Sequence, residues 1–246
     1  MLARGLSARD VVAVWERGQE RHPVDRALLL LGAAFPDRSR DELASLTVGQ
    51  RDGLLLLARE RTLGATMQCF VPCPACALSL EFPVEVREIL VADPLAPVER
   101  EHEVEAEGFT LRFRLLDSRD LAAVARIADP AAARHALLRR AVVSARAGDE
   151  TVPPQLLPPA AHEAVAAELA KHDPQSEVEF ALRCHGCQHQ WLSLLDVAAF
   201  FWAEISVAAR RLLREVDALA RAYGWREADV LGMSAARRAY YLELQQ

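Results

Sequence analysis

Two cysteine pairs constrain this chain more than any other feature. Cys73-Pro74-Ala75-Cys76 and Cys184-His185-Gly186-Cys187 each hold two residues between their thiols. That spacing turns the backbone tightly enough for both sulfurs to face one ion. Four thiolates arranged as two such knuckles meet the tetrahedral demand of Zn²⁺. A single pair would fit a redox dithiol equally well, and disulfides or unliganded thiols are other readings of the same residues. The usual zinc-ribbon gap is roughly 15–20 residues, whereas more than a hundred separate these knuckles. The flanks still favour a ribbon. Ala77-Leu78-Ser79-Leu80-Glu81-Phe82-Pro83-Val84-Glu85-Val86 alternates apolar and polar residues after the first pair. Val178-Glu179-Phe180-Ala181-Leu182 and Gln190-Trp191-Leu192-Ser193-Leu194 bracket the second. Both knuckles therefore sit at turns between strand-like runs. The expectation is one site built from Cys73, Cys76, Cys184 and Cys187, holding structural Zn²⁺, with the intervening segment inserted into the ribbon.

A catalytic zinc keeps an open position and draws on histidine or carboxylate ligands. His185 and His189, beside the second knuckle, define that alternative: a hydrolase-like metalloenzyme in which one of them joins the cysteines. Their simpler reading is as solvated loop residues. Cys69, in the strand-like run Thr66-Met67-Gln68-Cys69-Phe70-Val71, reads as a small buried hydrophobe rather than a ligand.

A length of 246 residues allows one large domain or two modest ones, and 52% hydrophobic residues can fill a substantial core. A net charge of −6 argues against a nucleic-acid surface. The longest apolar run, Ala27 to Phe35, is too short to span a bilayer. An odd cysteine count with CxxC pairs suits a reducing compartment. These features predict a cytoplasmic protein that neither binds nucleic acid nor inserts into a membrane.

The chain divides into a helical segment (1–64), a first knuckle hairpin (65–92), an inserted hairpin and helices (93–175), a second knuckle hairpin (176–195) and a C-terminal helical segment (196–246). The expected fold class is α+β: a zinc-ribbon-like β module with a mainly helical insertion, flanked by helical segments. Within the insertion, Glu107-Gly108 marks a hairpin turn before Phe109–Leu115. Residues 117–173 read as helical, with Ser118 as a cap and the proline-rich stretch Val152–Pro159 as a rigid connector. In the last segment Phe201, Ile205, Ala208, Leu212, Val216, Leu219 and Tyr223 recur at helical steps, and Gly224 stops the helix.

No GxSxG, P-loop or GxGxxG pattern occurs, so a non-enzymatic role is expected. The alternating glutamates from Glu99 to Glu107 read as a solvated strand edge. His22, His135, His162 and His172 read as surface residues, with only a minor metal-binding or acid–base option for His102. The aromatic and basic residues of the C-terminal segment admit two readings: a small core, and an anchor surface for a partner, since Trp, Tyr and Arg dominate interface hot spots. Trp202, Arg214, Tyr223, Trp225, Arg237, Arg238, Tyr240 and Tyr241 are the candidate partner-binding residues.

Several runs together resemble one family. They are Pro23-Val24-Asp25-Arg26 with its leucine run, Gly49-Gln50-Arg51-Asp52-Gly53, Leu63-Gly64, the first knuckle, and Phe113-Arg114-Leu115 before Asp120-Leu121. The second knuckle, Phe201-Trp202-Ala203-Glu204 and Leu213 to Trp225 complete the set. The chain is similar to baseplate proteins encoded in contractile phage tail and extracellular contractile injection system clusters, relatives of the T-even phage baseplate hub assembly chaperone. Its end, with Arg237-Arg238 and Tyr240-Tyr241-Leu242, also resembles short phage tail-assembly proteins. The resemblance implies a non-enzymatic part in building a baseplate or hub, with other baseplate or hub proteins as partners.

Overall fold

The computed structural model describes residues 3–245. Helices α1 (Ala8–Gly18), α2 (Pro23–Ala34), α3 (Arg40–Ala44) and α4 (Val48–Leu63) come first. Strands β1 (Thr66–Pro72) and β2 (Ser79–Glu85) follow, then α5 (Val86–Ile89), β3 (Glu101–Ala106) and β4 (Phe109–Arg114). Next come α6 (Ser118–Val124), α7 (Pro130–Ala141), β5 (Val142–Ala147), β6 (Glu150–Thr151) and α8 (Pro159–His172). Strands β7 (Glu179–Arg183) and β8 (Gln190–Leu194) precede α9 (Val197–Tyr223), α10 (Glu227–Leu231) and α11 (Ala235–Glu243). The mixture of helices with small antiparallel sheets is the α+β class expected from sequence. No described helix is long and apolar enough to cross a membrane.

The chain forms two compact units. One comprises Met1–Arg38, Leu55–Ala65 and Asp196–Gln246, and it is helical. Its first helix starts where Ser7 and Asp10 cap each other, the hydroxyl accepting from the Asp10 N–H at 3.2 Å and the carboxylate from the Ser7 N–H at 3.0 Å. Arg26 closes the other end of α1, donating to the carbonyls of Gly18 (2.9 Å) and Gln19 (2.6 Å). Its guanidinium also lies 4.7 Å from the Trp202 ring centre on α9. Only glycine fits at position 18, because a Cβ there would sit 2.3 Å from that indole. Helix α9 buries Phe201, Ile205, Ala208, Leu212 and Leu219 against this unit, while Val216 is half-buried and Tyr223 exposed. Gly224, at φ +70°, ends the helix in a left-handed cap. The buried Arg59 adds a bidentate pair to Glu204 at 2.9 and 2.7 Å.

The other unit comprises Ser39–Leu54 and Thr66–Leu195. It holds two separate antiparallel hairpins, β1–β2 and β7–β8, and a four-stranded antiparallel sheet in the order β3-β4-β5-β6. Strand β3 is an edge, and its glutamates 101, 103 and 105 are exposed. The β3–β4 turn is Glu107-Gly108 at φ 54° and 79°, a two-residue reversal of the kind that right-twisted strands prefer. Leu111, Phe113, Ala141, Val142, Ala145, Leu157, Ala161 and Val165 make one core between this sheet and α8. Each large side chain buried there contributes about 1.5–3 kcal/mol.

Residues 142–151 depart from the helical expectation for 117–173. Helix α7 ends at Ala141 without a Gly or Pro, and Val142 turns extended at φ −68°, ψ 115°. The β-branched pair Val142-Val143 then enters a strand against β4, and Gly148 (φ +60°) with Asp149 makes a two-residue turn to β6. The cap of α6 also moves by one residue: Asp117, not Ser118, accepts from Arg119 and Asp120.

Two buried polar clips organise this unit. Asp120, 1% exposed at its side chain, takes a bidentate grip from Arg114 (2.6 and 2.8 Å) and a third bond from Arg140 Nε (2.9 Å). Asp173, after α8, accepts from the Gly49 N–H at 2.9 Å and the Thr47 hydroxyl at 3.2 Å. Burial raises the Asp173 pKa, against these bonds and the nearby Arg100 and Arg51. Gln175 continues that clip by accepting from the Val91 N–H (2.7 Å) and donating to the Ile89 carbonyl (3.1 Å).

Candidate metal centre

The two hairpins carry the knuckles at their tips with the same local geometry. At the first tip the Cys73 N–H donates to the Leu78 carbonyl (2.8 Å), and the Ala77 N–H donates back to the Cys73 carbonyl (2.8 Å). At the second tip Cys184 N–H meets the His189 carbonyl (2.9 Å), and Gln188 N–H meets the Cys184 carbonyl (2.9 Å). Ala77 and Gln188 hold the same place, four residues after the first cysteine, at φ 60° and 63°. Each carries a side chain in the left-handed region at a cost of about 1–2 kcal/mol. Such strain persists where the surroundings over-determine it, and here both turns are fixed by paired strands on either side.

The knuckles meet. Sγ of Cys73 lies 3.6 Å from Sγ of Cys187, and Sγ of Cys76 lies 3.6 Å from Sγ of Cys184. All four sulfurs lie within 4.8 Å of one another. A disulfide needs about 2.05 Å, so these are four separate thiols. An ion with metal–sulfur bonds of about 2.3 Å spaces tetrahedral sulfurs about 3.8 Å apart, close to the separations here. The four cysteines are thus placed to hold a single metal ion. Cys73 and Cys184 are buried, packed with Leu80, Phe82 and Trp191, while Cys76 and Cys187 face solvent. Phe82 and Phe180 join the hairpins edge to face at 5.7 Å. Gly186 permits the approach, since a Cβ there would lie 2.9 Å from the Leu78 side chain.

The thiols are electrostatically unequal. The Cys187 backbone N–H, assisted by that of Gly186, outweighs burial and lowers the Cys184 thiol to about 6. At Cys76 the Leu78 N–H lowers the pKa, but the neighbouring thiols of Cys187 and Cys184 together push it up to about 12. A cation among the sulfurs would supply the charge that lets all four ionise.

His185 and His189 are exposed, and neither belongs to the cluster of ligand atoms among the described residues. The His189 ring stacks on Trp191 at 5.8 Å. Cys69 is buried in β1 opposite Phe82 and stands outside the cluster. His162 is a correction: it is 2% exposed in α8, with neither ring nitrogen in hydrogen-bonding geometry. Burial, then His135 at 4.9 Å between ring centres, lowers its pKa. His172 is half-buried and stacks on His102 at 3.7 Å.

The candidate partner-binding residues separate into two groups, all in the helical unit. Trp202 is held between Arg26 and Gly18, and Arg238 is buried, donating to Glu215 (2.7 Å) and to the Met233 carbonyl (2.6 Å). Tyr223 stacks on Trp225 at 4.5 Å, and Tyr241 meets both rings edge to face at 5.6 and 4.7 Å. Arg237 reaches over Tyr241, Tyr240 is 60% exposed, and Arg214 is exposed on α9. The clips at Asp120 and Asp173 escaped sequence reasoning. Their only sequence signals were Arg114 ahead of Asp120 and the Gly49-Gln50 pair. Against protein-family models, curated proteins and solved structures, nothing matches this chain.

Proposed function

We propose that the protein is a non-enzymatic assembly factor or structural component of the baseplate or hub of a contractile tail or injection system, stabilised by a structural Cys₄ zinc site. The carrying observation is the cluster of four sulfurs from opposite parts of one unit. An all-thiolate tetrahedral donor set favours Zn²⁺ over hard cations and leaves no position for substrate. The baseplate assignment rests on the sequence resemblance. The exposed Tyr240 and Arg214, with the clustered rings of Tyr223, Trp225 and Tyr241, support a contact surface for another subunit. The hydrolase alternative requires His185 or His189 at the ion, and neither ring joins the donor cluster.

Two measurements test this. Elemental analysis of the purified chain should give one zinc per chain, falling below a tenth of that in Cys184→Ser. Tagged protein expressed with the whole contractile gene cluster should retain a baseplate or hub subunit. Trp225→Ala should lose that subunit and keep its zinc. Absence of zinc would refute the site, and full retention by Trp225→Ala would refute the surface.

A further inference from the structure

A second surface, in the sheet-containing unit, has a distinct chemistry. The end of α6, one face of α7 and the turn at Pro154–Leu156 enclose an open groove of about 340 Å³. Val124, Ile127, Ala136 and Pro154 give it an apolar lining, and Arg139 and Arg140 stand along it. Beside it, Ile127 is 38% and Leu156 73% exposed. Exposed apolar side chains rimmed by charge mark interaction sites more often than isolated ones do.

The charge at this groove is only partly compensated. Arg139 makes no hydrogen bond or ion pair among the described residues. Arg140 gives only Nε to Asp120, and that single carboxylate is already gripped by Arg114. Two guanidiniums beside the groove therefore share less than one negative charge, on a chain whose net charge is −6. A locally positive groove on an acidic protein selects for an anionic partner and disfavours approach of that partner elsewhere. The apolar lining asks for a side chain, not a bare phosphate backbone.

We infer that this groove docks a segment of another protein in which an apolar side chain stands next to a carboxylate. The apolar group lies against Ile127, Ala136 and Pro154. The carboxylate meets Arg139 and the Nη groups of Arg140, where an arginine fork gives charge-assisted, directional bonds. This inference is independent of the baseplate reading, since it requires only the groove and its charge.

The test uses the full-length protein in zinc-containing buffer and a displayed library of random dodecapeptides. Selected peptides are resynthesised, measured by fluorescence anisotropy and mapped by hydrogen exchange. The expected peptides place Leu or an aromatic residue within two positions of Asp or Glu. They protect residues 123–127 and 136–140, and bind Arg139→Glu at least tenfold more weakly. Replacing their Asp by Asn should cost a similar factor. The exposed Arg139 has no structural partner, so that variant keeps the fold, which thermal melting verifies. Four outcomes overturn the inference: no peptide protects the groove, the peptides lack a carboxylate, Arg139→Glu binds undiminished, or an oligonucleotide rather than a peptide protects it.

Discussion

His162→Leu should make the protein more stable and remove an acid sensitivity. In the native chain the imidazole is 2% exposed, and neither nitrogen finds a hydrogen-bond partner. A neutral imidazole carries one donor and one acceptor, and each buried, unpartnered polar group costs about 1–3 kcal/mol. Leucine has similar bulk, removes both polar atoms and stands in a helix that also buries Ala161 and Val165. Allowing for imperfect repacking, the gain should be about 2 kcal/mol at pH 8. The pH dependence has a definite sign. Burial and His135 hold the folded-state pKa below the ordinary histidine value of about 6.5, so the unfolded chain binds the proton more readily. The stability that goes with neutral His162 is therefore complete above about pH 6.5. It falls as the pH drops from there through the folded-state pKa, by at most about 1.4 kcal/mol per pH unit. Hydrogen exchange of peptides from α7 and α8, between pH 8 and 5.5 and corrected for intrinsic rates, reads this directly, with metal content monitored in parallel. The leucine variant should exchange more slowly at pH 8 and show a shallower decline. Equal slopes in the two proteins, or a destabilised variant, would refute the claim that an unsatisfied imidazole sits in this core.

Other perturbations probe the remaining clips. Asp120→Asn leaves Arg114 and Arg140 beside a neutral amide, and should cost about 3 kcal/mol in denaturant unfolding. That is the low end for a broken pair, because the arginine side chains keep 32% and 43% exposure. Gly49→Ala puts a Cβ 2.0 Å from the Asp173 carboxylate and should cost about 3 kcal/mol through overpacking and a lost charged hydrogen bond. Chelation at neutral pH should unfold the two knuckle hairpins, since apparent zinc binding in small fingers is worth about 10–16 kcal/mol and is folding free energy. Loss of protection confined to residues 66–85 and 179–194 is the expected exchange pattern.

The ribbon was legible because its signals are local. CxxC spacing and alternation on both flanks each state a conformation within a few residues, as does the Glu107-Gly108 turn in the separate β3–β4 hairpin. The α9 stripe was legible for the same reason, and Phe201, Ile205 and Leu212 are buried as the helical period requires. The α7-to-β5 switch was not. Leu138, Ala141 and Val142 continue a helical spacing, and the chain leaves the helix only because β4 offers Val142 a strand partner. The β-branched pair Val142-Val143 and the Gly148-Asp149 turn were the local clues. The burial of His162 was equally hidden, since α8 has apolar residues around much of its circumference and tertiary packing alone selects which face goes inward. Trp202 and Arg238 look like an anchor in sequence, yet both are engaged inside their own unit.

The distance along the chain between the two knuckles has a consequence for biosynthesis. Cys76 and Cys184 are 108 positions apart, and Cys73 and Cys187 are 114 apart. At about 5–20 residues per second, the first hairpin leaves the ribosome some 5–20 s before its counterpart exists. During that wait only two of the four clustered sulfurs exist, too few for a complete tetrahedral thiolate shell. The meeting of the two knuckles is therefore a late event in the making of this protein, and any segment of the insertion that folds in the interval shortens the loop that their meeting closes.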